Sequence, residues 1–329
     1  SSDFPATAGA YDTSYNGGAS GIIDAFAAKF NSTLSSLRAA TYLGAPAYDY
    51  ASDIALDAAG NLYVAGHTLS YNFPCTAGAY RTNYYGNANF YDGFVSKLSP
   101  ALSALSASTF LGGVNDDFIH ALVLDPYGGV LVAGQTDSGD LPVSWGSYDR
   151  FLDGPTDAFL ARLDTGLSEL LASTYLGGAD TEEATALALD QWAFVFVAGA
   201  TKSLRGAPGD KFPVSAAAYN SGYTADGFVS RLNLGLSSMQ ASTLIGGASN
   251  TVCRALSVFG TDRLFIAGYT DADSFPTTPG AYDRARGGSN DAFVAALDLD
   301  LTFGDPAIAA PGAIAAGQQV SAISIPVCW

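Results

Sequence analysis

The chain has 329 residues, 48% of them hydrophobic and 14% charged, which is enough to bury a sizeable core and excludes a disordered segment. Its 14 Lys and Arg against 31 Asp and Glu leave a net charge of −17, so an electrostatic grip on nucleic-acid phosphates or anionic lipid has no source. No apolar run approaches the roughly 20 residues that cross a bilayer, and "SSDFPATAGAYD" lacks the regions of a signal peptide, so for an exported protein the leader is expected to be gone already.

The first predicted element is the strand "DAFAAKF" from Asp24, followed after a longer loop by "RAATYLG" ending at Gly44. "DIALDAAGNLYVAG" then reads as a hairpin turning at Asp57 and Gly60-Asn61. A loop with "FP" and "GAY" leads to "DGFVSKL" from Asp92 and "STFLG" from Ser108. The same order returns with "ALVLD" and "VLVAGQT", then "DAFLARL" from Asp157 and "STYLG" from Ser173. It returns again with "ALALD" and "FVFVAGAT", "DGFVSRL" from Asp226 and "STLIG" from Ser242. A last round runs through "ALSVF", "LFIAGYT" and "SFPTTPGAYDR" to "DAFVAALDLD" from Asp291, while its turn "FGTDR" and the earlier "DQWAF" depart from the Gly-bearing pattern.

The opening Asp recurs in steps of 68, 65, 69 and 65 residues, and Gly66, Gly134, Gly199 and Gly268 share one phase. Each string is short, rich in β-branched and aromatic residues and bounded by Gly, Asn, Asp or Pro, the pattern of strands rather than helices. Two hairpins per period make a four-stranded antiparallel sheet of about 67 residues, and such sheets must stack face to face to bury both sides. The predicted fold class is all-β, a β-propeller of about four to five four-stranded blades over residues 1–303. Residues 304–329 are expected to be an Ala/Gly/Pro-rich linker and a strand-like tail, "VSAISIPVCW".

The ordered set "STYLGG", "AxALD", "LYVAG", "FP", "GAY" and "DAFVAKL" resembles the SBBP-type β-propeller repeat of secreted and cell-surface proteins of bacteria and archaea. The resemblance runs to about Leu301 and implies the fold and an extracellular or cell-surface location. It transfers no catalytic residue and no cofactor. The departures are Leu141 in the third "FP", the eroded turns and the tail after Phe303.

The chain starts and ends in mid-repeat. The first two strands are expected to join the hairpin at Ala255 to Thr270 and close four blades, which leaves the strand at Asp291 surplus; completion by the tail into a five-bladed ring is the alternative. A surplus strand with unpaired N–H and C=O groups is a template for β-augmentation, and head-to-tail addition builds an open filament. The leading expectation is therefore a non-catalytic extracellular structural propeller, a homo-oligomer or polymer such as a filament or surface-layer subunit, assembled by strand exchange at the chain ends. Its candidate interface is Asp291, Phe293, Ala296, Ile323, Ile325, Cys328 and Trp329. Strands one to four carry a base at the sixth position (Lys29, Lys97, Arg162, Arg231) where the fifth has Ala296, and the "ALD" acid (Asp57, Asp125, Asp190) becomes Phe259 in that repeat. Cover of the last blade by protein, or drift between repeats, would each produce this.

The alternative function is a glycan- or protein-binding adhesin, for which the non-recurring Tyr84, Tyr85 and Phe90 are the candidate contacts; the recurring Phe73, Pro74 and Tyr80 are expected to cap their own blades. The five opening aspartates read as turn-forming residues rather than metal ligands. Loop acids in "NDD" (115–117), "ADTEE", "TDSGD" and "TDADS" could hold Ca²⁺, but none has EF-hand or RTX spacing, and no cofactor is expected. His67 and His120 occupy different repeats, and no GxSxG, HExxH or P-loop occurs, so no enzyme is expected. "NST" at Asn31 is a glycosylation sequon. Cys75, Cys253 and Cys328 are too few for a disulfide framework, with Cys253 expected to be buried and Cys328 open to an intermolecular bond.

Overall fold

The computed structural model describes residues 2–17, 22–87, 89–204, 209–222 and 226–301. They form seventeen strands: β1 (Ala25–Phe30), β2 (Leu37–Leu43), β3 (Asp49–Leu56), β4 (Leu62–Thr68), β5 (Asp92–Leu98), β6 (Leu105–Leu111), β7 (Asp117–Leu124), β8 (Gly129–Thr136), β9 (Asp157–Asp164), β10 (Leu170–Leu176), β11 (Glu182–Leu189), β12 (Val195–Thr201), β13 (Gly227–Leu232), β14 (Met239–Ile245), β15 (Thr251–Phe259), β16 (Arg263–Thr270) and β17 (Asp291–Asp298). Three sheets have four strands in the orders β3-β4-β5-β6, β7-β8-β9-β10 and β11-β12-β13-β14; β15-β16-β17 has three and β1-β2 two. Every strand pairs antiparallel with the next in its sheet, so each sheet is a meander of propeller-blade type, and the fold class is all-β as expected. Among the described residues no helix is long and apolar enough to cross a membrane. The predicted linker and tail, with Ile323, Ile325, Cys328 and Trp329, lie outside the described residues.

Local sequence explains each blade. The "ALD" acid makes the turn between its first two strands: Asp57 Oδ1 accepts the N–H groups of Ala59 and Asn61, and Asp190 Oδ1 those of Trp192 and Phe194. The glycine of "VAG" is required by a bulge in the first strand, whose register shifts between Ala51 and Asp53. That shift brings the Tyr50 carbonyl oxygen within 1.8 Å of where a Cβ on Gly66 would sit, and the same approach recurs at Gly134. Between the third and fourth strands a polar residue caps the turn, Asn31 accepting from Ser35 and Ser36 N–H, and Asp164 from Ser168 and Glu169. The leucine inside this turn is left-handed every time, at φ 54° in Leu34 and Leu102, 55° in Leu167 and Leu301, and 50° in Leu236. A bulky residue in that region costs on the order of 1 kcal/mol, which burial must offset.

The expected closure is corrected by the strand pairing. β17 lies beside β16 through its full length, Thr270 opposite Asp291 and Arg263 opposite Asp298, as the third strand of the last blade. Asp291, Phe293 and Ala296 are therefore paired, and the strand left without its blade-mates is β1, whose partner is β2 alone. The connection from β16 to β17 carries the same "FP" and "GAY" landmarks as those from β4 to β5 and β12 to β13, so β17 reaches its place by the shortest loop available to it.

The chain forms two units, Ser1–Leu152 with Thr156–Tyr175, and Asp153–Pro155 with Leu176–Trp329. In the first, β1-β2 packs on the β3–β6 sheet through Ala27, Leu43, Phe94 and Leu98, and that sheet packs on β7–β10 through Tyr63, Val95, Ile119 and Phe159. In the second, Val229 and Ile245 of the β11–β14 sheet meet Cys253, Ile266 and Phe293 of the last blade. Each blade thus has one face turned to the blade before it, bearing the Phe of "DAF" or "DGF", and one turned to the blade after it.

Candidate assembly surface

A junction between blades is built from three contacts that recur. The "FP" phenylalanine folds over the "DAF" phenylalanine: ring centroids are 4.3 Å apart for Phe73 and Phe94, 4.4 Å for Phe212 and Phe228, and 4.6 Å for Phe275 and Phe293. Capping by Phe73 is as expected. The "GAY" turn reaches forward to the next blade, where its tyrosine N–H donates to the carbonyl of the left-handed leucine: Tyr11 to Leu102 at 2.8 Å, Tyr80 to Leu167 at 2.7 Å and Tyr219 to Leu301 at 3.0 Å. Tyr80 therefore packs against the following blade rather than only its own. Finally, the base of the third strand bonds the "ALD" acid, Lys97 to Asp57 at 3.5 Å, Arg162 to Asp125 at 2.7 Å and Arg231 to Asp190 at 3.4 Å. Ala296 and Phe259 belong to the same sheet, so the base and the acid have been lost together there.

Two surfaces lack these contacts. On β1 and its turn, Phe26 is 57% exposed, Phe30 51% and Leu34 77%, whereas the residues at the same phase, Phe94, Leu98 and Leu102, are buried, as are Phe159, Leu163 and Leu167. On the last blade Val294 is 78% exposed where Val95, Leu160 and Val229 are buried, and Tyr282, the "GAY" tyrosine of that blade, is fully exposed. Each surface is half of a junction whose other half is absent among the described residues.

Acids close the ends of the strands. Asp49 is buried and accepts the hydroxyls of Thr68 and Ser70 and the N–H of Ala45. Asp117 does the same with Thr136 at 2.5 Å, Ser138 at 3.0 Å and the N–H of Gly113 at 2.7 Å, and Glu182 with Thr201 and Gly178. Burial, with Asp24 nearby, pushes Asp49 up to about 7; burial, with Asp92 nearby, does the same to Asp117. Asp92 itself is raised to about 6 by burial while accepting the N–H groups of Tyr85 and Gly86. The opening aspartates thus pin the loop before them rather than making a turn of their own; Asp291 accepts from Gly287 in the same way. Asp117 belongs to "NDD", so this acid serves a hydroxyl clasp.

The remaining sequence candidates separate. Tyr84 turns inward, its hydroxyl donating to the Phe90 carbonyl and its ring meeting Phe110 at 5.6 Å, so of the three loop aromatics only Tyr85 stands exposed, with Arg81 stacked 4.1 Å over it. His67 and His120, remote in sequence, share an aromatic cluster with Tyr50, Tyr91 and Phe118, where His67 lies 4.9 Å from both Tyr50 and Phe118. Burial, reinforced by His120, holds His67 neutral by lowering it to about 3. Among the described residues no group of three His, Cys, Asp or Glu is placed to hold a metal ion. Cys253 is buried as expected, and burial raises the Cys75 thiol to about 12. Asn31 serves its turn. Sequence reasoning missed Phe26, Phe30, Leu34, Val294 and Tyr282; their signal was available in the repeat phase, since all five hold the residue type that is buried elsewhere.

Residues 40–74 match the family model described as a beta-propeller repeat, SBBP. The chain carries an SBBP β-propeller repeat. No curated protein matches it. Among solved structures it is similar to BamB from Moraxella catarrhalis at 11% identity and a TM-score of 0.29, over 73% of this chain and 75% of that one, a likeness too distant to add to what the strands show.

Proposed function

We propose that this SBBP-repeat chain is a non-catalytic structural propeller, working outside the cell, whose copies associate head to tail. The last blade of one copy packs on β1-β2 of the next. The observation that carries the reading is the matched pair of half-junctions: Phe26, Phe30 and Leu34 at one end, Val294 and Tyr282 at the other, all exposed where their counterparts are buried. The three internal copies supply the template, so the expected contact places the Tyr282 N–H on the Leu34 carbonyl, as Tyr11 sits on Leu102. Burying an apolar side chain of this size is worth about 1.5–3 kcal/mol, so five of them supply enough to offset the loss of freedom on association. The interface is heterologous, which permits a filament.

Sedimentation of the purified chain over a concentration series tests this. Mass should grow with concentration, and Leu34→Asp or Tyr282→Asp should each stop growth. Mixing the two variants should restore one interface and give dimers only. A wild-type chain that stays monomeric up to about 1 mM, where a 4 kcal/mol contact would be half formed, overturns the reading. A second reading, a glycan- or protein-binding surface, has in its favour Trp145, which is 90% exposed with Arg150 4.8 Å over its ring. Trp145→Ala on a glycan array would separate the two readings, since it leaves both half-junctions intact.

A further inference from the structure

Stacking of copies leaves one feature unanswered. β1 stands in the third-strand position, yet its edge away from β2 carries no second strand, and the face of β3 beside it exposes Ile54 and Leu56. In the next junction the residue matching Ile54, Leu122, is buried in a cluster with Tyr63 of the neighbouring second strand. The empty place therefore has the outline of a first-and-second-strand hairpin. Complete blades state what such a hairpin must carry. Gly66 lies opposite Phe94, Gly134 opposite Phe159 and Gly199 opposite Phe228, so Phe26 calls for a glycine. Tyr63 lies opposite Lys97 and Phe196 opposite Arg231, so a bulky apolar residue belongs opposite Lys29 and over Ile54. In each case the base bonds the acid of the hairpin turn, whereas the bond found at Lys29 is a 3.3 Å contact with the Pro100 carbonyl on the exposed surface.

The geometry points to β1 as a strand-acceptor edge for an acid-bearing hairpin of the same repeat type supplied by a partner chain, with Lys29 reading its carboxylate and Phe26 its glycine. This is β-augmentation with a charge key. The key discriminates among hairpins of this very sequence. Residues 49–68, 117–136 and 182–201 offer Asp57, Asp125 or Asp190 with the glycine, while residues 251–270 offer Phe259 and already hold β17. The last blade of a second copy is thus the wrong donor, and the edge is a site separate from the stacked face.

A hairpin copied from residues 49–68 tests the site. It is offered to the full chain as a synthetic peptide and, because a free hairpin is marginally ordered, also fused directly before Ser1, where the 68-residue spacing of Asp24 and Asp92 places it in register. Both are read by hydrogen exchange of β1 amides in the Leu34→Asp background, so that copy-to-copy association neither mimics nor masks the effect. The fused hairpin should slow β1 exchange by about tenfold or more. Asp57→Ala in the copied hairpin, Lys29→Ala in the chain, and both together should each return most of that protection, the double change costing no more than either single one. A copy of residues 251–270 should protect less. Unchanged β1 exchange with the fused hairpin, or protection indifferent to Lys29 and to the copied acid, overturns the inference. Protection with no head-to-tail growth of the wild-type chain would sink the stacking proposal alone.

Discussion

Asp49→Asn isolates a proton that the folded chain is expected to hold at neutral pH. The carboxyl is buried under Thr68, Ser70 and the N–H of Ala45, and burial lifts it from 3.8 to about 7. Because the folded value lies above the unfolded one, the native chain binds more protons than the unfolded chain between those two values. The site's contribution is therefore full below about pH 4, fades as pH rises, and is gone above about pH 7. The interval from 3.8 to about 7, at about 1.36 kcal/mol per pH unit, amounts to about 4 kcal/mol. Asparagine has no such proton to lose. The unfolding free energy of Asp49→Asn minus that of the wild type should swing by about 4 kcal/mol in the variant's favour between pH 4 and pH 8. Urea titrations followed by tyrosine and tryptophan fluorescence at closely spaced pH values measure it. The difference is the proper readout because the wild-type trace is a composite. Asp117 and Asp92 pull in the same direction, while His67, neutral when folded and protonated below about 6.5 when unfolded, pulls the other way. A swing under about 1 kcal/mol, or of opposite sign, would refute the buried-acid argument.

The repeat phase supplies paired comparisons in which the same substitution should act differently. Phe94→Ala should cost about 3–5 kcal/mol in denaturant unfolding, whereas Phe26→Ala in the monomer should cost less than about 1, since Phe26 is already exposed. Leu34→Gly should raise monomer stability by up to about 1 kcal/mol by releasing the left-handed strain at φ 54° without losing buried surface, while Leu167→Gly, at φ 55° but buried, should lower it by more than 2. Arg162→Ala leaves the buried Asp125 carboxylate without its 2.7 Å partner and should lower the midpoint by the equivalent of about 3 kcal/mol; Arg254→Ala, whose bond to Glu183 is more exposed, should cost about 1 or less.

Strand order, blade period and the capping role of Phe73 were legible because they rest on local chemistry: alternation within four to seven residues, turn formers between them, and a repeat that shows each element several times. The buried acids were not. Asp117 inside "NDD" looks like a loop ligand until the fold sets Thr136 and Ser138 beside it, and those partners come from a neighbouring strand. Nor do the left-handed leucines announce themselves, since leucine avoids that region unless burial compensates, and burial at Leu102 or Leu167 comes from the "GAY" turn of another blade. His67 and His120 meet through two sheets, which no spacing rule reports.

The imbalance of one strand was legible; its location was not, and physical reasons decide it. Two strands of nearly the same sequence, β1 and β17, could lie beside β16. β17 is tethered by one loop of the kind used in every other blade, so its effective concentration at β16 exceeds that of a segment more than two hundred residues away. Side chains agree. With Ala296 opposite Phe265 and Phe259 in place of the acid, the last blade has lost both members of the ion pair, which leaves no orphan charge; β1 beside β16 would bring Lys29 against a turn without its aspartate. Conversely, β1 has kept its base, its phenylalanine and its leucine, each suited to contacts it does not make among the described residues. A drifting sequence would have no reason to retain Phe26, Lys29, Phe30 and Leu34 in solvent, where the leucine stays strained and the apolar side chains gain nothing. Their joint retention is what a surface that is covered in the working assembly would require, and it places the unfinished business of this fold at β1.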